Sequence, residues 1–180
     1  FEAQNNLALL FDELRERETA ILLLERVICI WPRYAAGYNS RGFVLSNLGL
    51  QEKAIETFCK AINIQADYYE AWLNYGNALF KERQNSLAVI SYKKALVFQP
   101  SFVNALKNLG IAYAQISERR KAIKIFDQAL LLMPQDREIS SSKIKVLFQL
   151  GEVNQALKLQ TTEGVISFSV DSGATLRRGN

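Results

Sequence analysis

The sequence predicts an all-α fold, an α-solenoid of antiparallel helix pairs. Three observations predict it. Ala20, Ala54, Ala88, Ala122 and Ala156 stand 34 residues apart without a slip. Apolar residues recur around them at helical spacing, and Pro32, Pro100 and Pro134 fall at one fixed place in the period. A fixed period of this kind marks a stack of similar units, each of which buries its apolar face on its neighbours. Such stacks bind other chains far more often than they catalyse reactions.

The alanines set the frame: units 1–34, 35–68, 69–102, 103–136 and 137–170, then a tail, 171–180. Positions within a unit are numbered here as slots. Unit one has Ala8, Ala20, Leu24, Val27 and Pro32 at slots 8, 20, 24, 27 and 32. Unit two has Gly42, Ala54, Phe58 and Ala61 at the same slots, with Ala66 in place of the proline. Unit three shows the two helices most clearly. The spacing of Trp72, Tyr75, Leu79 and Phe80 predicts a helix over 69–81, and Val89, Tyr92, Leu96 and Phe98 predict a second over 86–98. Pro100 stops the second, because the residue before a proline avoids the helical region. Glycine inside a helix costs ~1 kcal/mol relative to alanine. Gly42, Gly76 and Gly110 at slot 8 therefore imply a packing demand, and Gly76 is expected to face Ala88 where two backbones approach closely.

Unit four repeats the pattern with Gly110, Ala122, Phe126, Ala129 and Pro134. Unit five departs from it. Ser140, Ser141 and Ser142 replace a bulky start, Ile144 stands at the glycine slot, and the second helix begins well over 153–159 before Thr161, Thr162, Glu163 and Gly164. A terminal unit needs a polar outer face, so such decay suits a cap. Residues 164–170 alternate apolar and polar. Residues 164–180 are therefore expected to be extended or poorly ordered, or to lie against a neighbouring molecule.

These residues resemble the tetratricopeptide repeat (TPR) family. Unit three carries Trp72-x-x-Tyr75-Gly76-x-x-Leu79, then Ala88-x-x-x-Tyr92-x-x-Ala95-x-x-x-x-Pro100. Unit four carries Leu106-x-x-Leu109-Gly110-x-x-Tyr113, then Ala122-x-x-x-Phe126-x-x-Ala129-x-x-x-x-Pro134. The resemblance implies a right-handed superhelix of five units whose first helices line a concave groove, with slots 2, 5, 6, 9, 12 and 13 pointing into it. Slot 6 reads Asn6, Ser40, Asn74, Asn108 and Ser142. Slot 5 includes Asn39, Leu73 and Lys107, slot 9 includes Phe43, Asn77 and Ile111, slot 2 adds Asn104, and slot 13 adds Lys81.

A row of amides suits an extended peptide, since each Asn offers two donors and an acceptor to main-chain groups. Phe43, Leu73, Phe80 and Ile111 would supply apolar pockets beside them, and with these selectivity. The row resembles the asparagine ladder of the O-linked GlcNAc transferase repeat domain, interrupted at Ser40 and Ser142. The mode in which chaperone cofactors of the family grip a C-terminal carboxylate is not expected: the matching slots hold Leu73, Asn77, Asn108, Glu138 and Ser142, without the required cations.

Composition narrows the function further. The chain is 49% hydrophobic, yet no apolar run approaches the ~20 residues of a membrane span. No basic stretch followed by an apolar block marks a secretory signal. The chain starts at Phe1, and its one methionine is Met133, as expected of a fragment of a longer protein. Cys29 and Cys59 are expected to be unpaired thiols in a reducing compartment, which points to the cytoplasm. Without histidine the chain lacks the commonest general base and metal ligand. Asp12 with Glu13, and Asp127 with Lys124, read as surface pairs. No catalytic centre, metal or cofactor is expected.

Net charge is +4, distributed as −2, 0, +2 and +2 over the first four units and +2 over residues 137–180. Mixed solvated faces explain most of this. The gradient also suggests weak head-to-tail attraction between copies. Nucleic acid is not an expected partner, because Lys81, Lys107 and Lys145 lie among acids and amides in the groove. The expected function is a protein-interaction scaffold holding a peptide or partner segment in the concave face. The alternative is a regulatory module from a larger signalling enzyme, a kinase or glycosyltransferase, with no chemistry of its own.

Overall fold

A computed structural model describes residues 1–162. Ten α-helices follow one another over these residues: α1 (Glu2–Glu13), α2 (Arg17–Ile30), α3 (Ala35–Asn47), α4 (Gln51–Ile64), α5 (Tyr69–Lys81), α6 (Asn85–Phe98), α7 (Val103–Gln115), α8 (Arg119–Leu132), α9 (Arg137–Leu150) and α10 (Val153–Thr162). There is no strand among the described residues. Each odd helix pairs with the even helix after it, each even helix packs on the odd helix that follows, and the odd helices touch one another along one side. That pattern is a solenoid. The expectation for residues 164–180 lies outside the described residues.

The five alanines that set the period are all fully buried. So are Val27, Ala61, Ala95 and Ala129 at slot 27. The glycines of slot 8 answer to a different neighbour from the one expected. A Cβ on Gly76 would come 2.6 Å from the Tyr92 ring; on Gly42 it would come 2.7 Å from Phe58, and on Gly110 2.5 Å from Phe126. The backbone thus makes room for an aromatic ring from the second helix, rather than for the helix at Ala88. Size is traded between the two slots along the chain. Gly stands with Phe or Tyr in units two to four, Ala8 with Leu24 in unit one, and Ile144 with Gln160 in unit five. Ile144 is buried beside Leu147 and Ala156, so unit five fills the space from the first helix instead.

One turn device joins the two helices of every unit. Arg15, Gly49, Arg83, Ser117 and Gly151, all at slot 15, have φ of 64°, 81°, 58°, 64° and 78°. The slot 16 amide then donates to the slot 11 carbonyl, as Gln84 does to Leu79 at 2.9 Å, and the slot 15 amide to slot 12, as Arg83 does to Phe80 at 3.0 Å. This is the Schellman arrangement, which closes a helix C-terminus through a left-handed residue. Gly49→Ala should lower stability by about 1 kcal/mol, because a Cβ is strained at that φ. The reverse exchange, Arg83→Gly, should not destabilise. Urea midpoints of the two variants decide this, and equal losses would remove slot 15 from the account.

The second helices of units one to four end at slot 30 with or without the proline. Ile64 closes α4 before Ala66 just as Phe98 closes α6 before Pro100. Proline therefore reinforces a stop that packing already sets. In unit five α9 is a regular helix despite its serines. Asp136 caps it by accepting from the Glu138 and Ile139 amides at 2.9 and 3.0 Å, and Ser140 is buried.

Candidate functional site

Side-chain hydrogen bonds stitch each odd helix to the next. Asn47 of α3 donates to Asp12 of α1 at 2.7 Å. Asn74 of α5 donates to Asn39 of α3 at 3.0 Å, and Lys81 of α5 to Ser46 of α3 at 2.9 Å. Asn108 of α7 donates to Asn77 of α5 at 2.7 Å, and Lys107 of α7 to Glu138 of α9 at 2.8 Å. The partners lie 35 or 31 residues apart, one period plus one residue or less three. These offsets bring a slot on one helix level with a neighbouring slot on the next.

Asn77 is the hub of the row. Its Oδ1 accepts from Asn108 and also from the Tyr92 hydroxyl at 3.0 Å. Both of its lone pairs are thereby engaged. Burial pushes the Tyr92 phenol well above its ordinary value. Tyr75 is pushed up to about 12 by burial, helped by its hydrogen bond with Cys59. Both folded values lie above the unfolded one, so the neutral phenols favour the fold. Their stabilisation is full below about pH 10 and is lost as pH rises from there through the folded values. Denaturant midpoints should therefore fall between about pH 10 and 12. Tyr92→Phe should shrink that fall; an identical pH profile would mean that Tyr92 contributes nothing to it.

A pocket of about 250 Å³ opens on this face across three units. Phe43, Ser46 and Asn47 come from α3, Asn74, Asn77, Phe80 and Lys81 from α5, and Asn108 and Ile111 from α7. Phe58 and Tyr92 reach it from the second helices. The absent side chains at Gly42 and Gly76 allow this, since the two rings lie where a Cβ would stand. The wall is mostly apolar, with amides around it and the Lys81 ammonium at one edge. No acid among the described residues forms an ion pair with Lys81.

Of the sequence-predicted groove residues, the pocket brings together Phe43, Asn74, Asn77, Lys81, Asn108 and Ile111. Asn39 stands beside it, bonded to Asn74, and its Nδ2 approaches the Tyr68 hydroxyl at 3.4 Å. Ser40 is buried. Asn6 and Asn104 are exposed on α1 and α7 away from the pocket lining. Lys107 is engaged by Glu138, and Ser142 donates to the Glu138 carbonyl at 2.8 Å within its own helix. Leu73 is not a groove residue: it is buried in the main core with Leu106 and Leu109.

The carboxylates read as surface pairs also sit differently. Asp12 is buried, bridging Arg17 at 3.0 Å and Asn47 at 2.7 Å. Asp127 pairs across units with Lys143 at 2.6 Å, not with Lys124. Ser46 occupies slot 12, one of the slots expected to face the groove, but Phe58 and Tyr92 went unforeseen as lining residues. The glycine–aromatic pairing of slots 8 and 24 was the signal for the last two. Cys29 and Cys59 are free, Cys29 exposed and Cys59 half-buried. No described helix is long and apolar enough to cross a membrane.

Comparison with known proteins agrees with this architecture. Tetratricopeptide repeat models match residues 35–68, 69–102 and 105–140. No curated protein sequence matches the chain. Among solved structures, MamA from Desulfovibrio magneticus RS-1 superposes with a TM-score of 0.82 at 20% identity, over 95% of this chain and 97% of that one. PilF of Pseudomonas aeruginosa gives 0.83 at 19%, over 91% and 75%. YrrB, described as a TPR protein with an unusual peptide-binding site, gives 0.76 at 18%, over 91% and 84%. At these identities the likeness concerns the fold. The family models cover more than half of the sequence, two of the matches coinciding with units two and three, and the chain belongs to the tetratricopeptide repeat family.

Proposed function

We propose that the concave face of α3, α5 and α7 holds an extended segment of a partner protein. Protein-interaction scaffolding is the general role of such repeats, and the pocket spanning three units is the observation that carries the finer reading. Phe43, Phe80 and Ile111 would receive one apolar side chain. Asn74 and Asn108 each use one donor on the neighbouring unit, and their Oδ1 atoms accept no bond among the described residues. Each therefore has an acceptor and a donor to offer a peptide backbone. Lys81 favours an acidic group beside the apolar one. The chain itself performs no chemistry in this reading.

Peptides selected from a random library on this chain should share an apolar residue close to an acidic one. Phe43 is exposed, so Phe43→Ala should leave melting nearly unchanged. It should weaken the selected peptides about tenfold or more, the worth of one apolar side chain losing its pocket. Peptides that bind both proteins equally would remove the groove reading.

A further inference from the structure

We infer that the outer face of α6 and α8 docks an acidic amphipathic helix of a partner protein. The repeat marks this face as an exception. At three of the four junctions slot 25 of one unit bonds slot 7 of the next: Glu25 with Arg41 at 2.7 Å, Cys59 with Tyr75, and Asp127 with Lys143 at 2.6 Å. Between units three and four the two slots hold Lys93 and Leu109, and Leu109 is buried. Lys93 therefore finds no acceptor across the junction. Its ammonium lies 5.9 Å from the centre of the Tyr113 ring, and the Lys121 ammonium of α8 lies at the same distance from that ring. Two cations thus flank one seam between α6 and α8.

The rest of the face has the same sign. Together the two helices carry Lys93, Lys94, Arg119, Arg120, Lys121 and Lys124 against one acid, Asp127, which Lys143 already holds. In α2 and α4 acids and cations balance. Lys93, Lys94, Arg120 and Lys124 form no ion pair among the described residues. Apolar surface lies beside this charge. Leu87, Ile90 and Val97 run along α6 at helical spacing and are 49%, 54% and 69% exposed, where α4 places Lys53, Glu56 and Asn63 at the same slots. A mostly apolar groove of about 540 Å³ lies between the C-terminal turns of α6 and α8, lined in part by Leu96, Pro100, Leu106 and Leu131. A groove between helices receives the apolar stripe of a third helix, and acids flanking that stripe would meet the lysines. A second copy docked through the same face would oppose like charges. Residues 163–180 carry two acids and two arginines, so they offer no acidic excess either. This inference is independent of the concave pocket.

The probe is a synthetic helix with leucine on one face and glutamate on the other. It should bind the whole chain, and more weakly as salt is raised. The same helix with lysine for glutamate should bind about tenfold more weakly or worse. Lys93→Glu and Ile90→Ser alter exposed side chains, so both variants should keep their helical circular dichroism. Each should weaken the glutamate helix about tenfold. Phe43→Ala should bind it as the parent does, which separates this face from the concave pocket. Equal binding of the two helices, or binding lost in Phe43→Ala and kept in Lys93→Glu, would overturn the proposal. So would a chain that ignores both helices and sediments with phosphatidylglycerol vesicles, or one that self-associates through Ile90, since each gives the face a different occupant.

Discussion

Gly76→Ala should cost about 1–3 kcal/mol, the range for overpacking a tight core, even though alanine is the better helix former. Its Cβ would stand 2.6 Å from Tyr92, whose ring is almost fully buried and bonded through its hydroxyl to Asn77. Moving the ring away would strain that hydrogen bond. For a chain of this size the loss corresponds to a fall in Tm of roughly 2–12 °C. The double variant makes the test specific. Tyr92→Leu alone should cost about 2 kcal/mol through the cavity it leaves. Together the two substitutions recreate the Ala8–Leu24 pairing of unit one. The double variant should therefore lose less than the sum of its parts by about 1 kcal/mol or more. Strict additivity would show that slots 8 and 24 do not share one space.

This pairing also shows how far the sequence could be read. The period, the units and the helix of 69–81 follow from residue spacing alone, and α6 begins one residue before its predicted start. Slot 8 was legible as tight, because a helical glycine demands a reason. Its partner was not, since helical spacing gives the face of a residue and not the reach of a ring on the facing helix. The slot 15 turn hid for another cause. Two units supply Gly there, but Arg15, Arg83 and Ser117 adopt the same left-handed backbone, so no shared residue type marks it. The amide row was visible as a row. What it bonds was not, because the 35- and 31-residue offsets depend on how far each unit turns relative to the last. Asp12 was misread for the same reason: its partner Asn47 lies one unit on.

Asn77→Ala should cost about 2 kcal/mol, roughly 1 for each of the two hydrogen bonds that converge on its oxygen. It leaves the buried Tyr92 hydroxyl and the Asn108 amide without that acceptor. Asn77→Asp behaves differently, because the side chain only accepts in both bonds and a carboxylate accepts as well. Its thermal stability should stay near that of the parent. The aspartate nevertheless puts a negative charge into the pocket that Lys81 borders. Acidic peptides selected on the parent should bind it about tenfold more weakly, a loss of about 1.4 kcal/mol. Thermal melts and calorimetric titrations of the two variants separate the structural role from the binding role. Comparable destabilisation by alanine and aspartate would mean that the oxygen is not what matters.

The groove is tested most directly by following the asparagine side-chain amide resonances while a selected peptide is titrated in. The signals of Asn74 and Asn108 should shift and saturate together, with the Asn63 and Asn85 amides of the second-helix layer unmoved. Shifts confined to the second helices, with Asn74 and Asn108 silent, would place the partner on the other face and contradict the account.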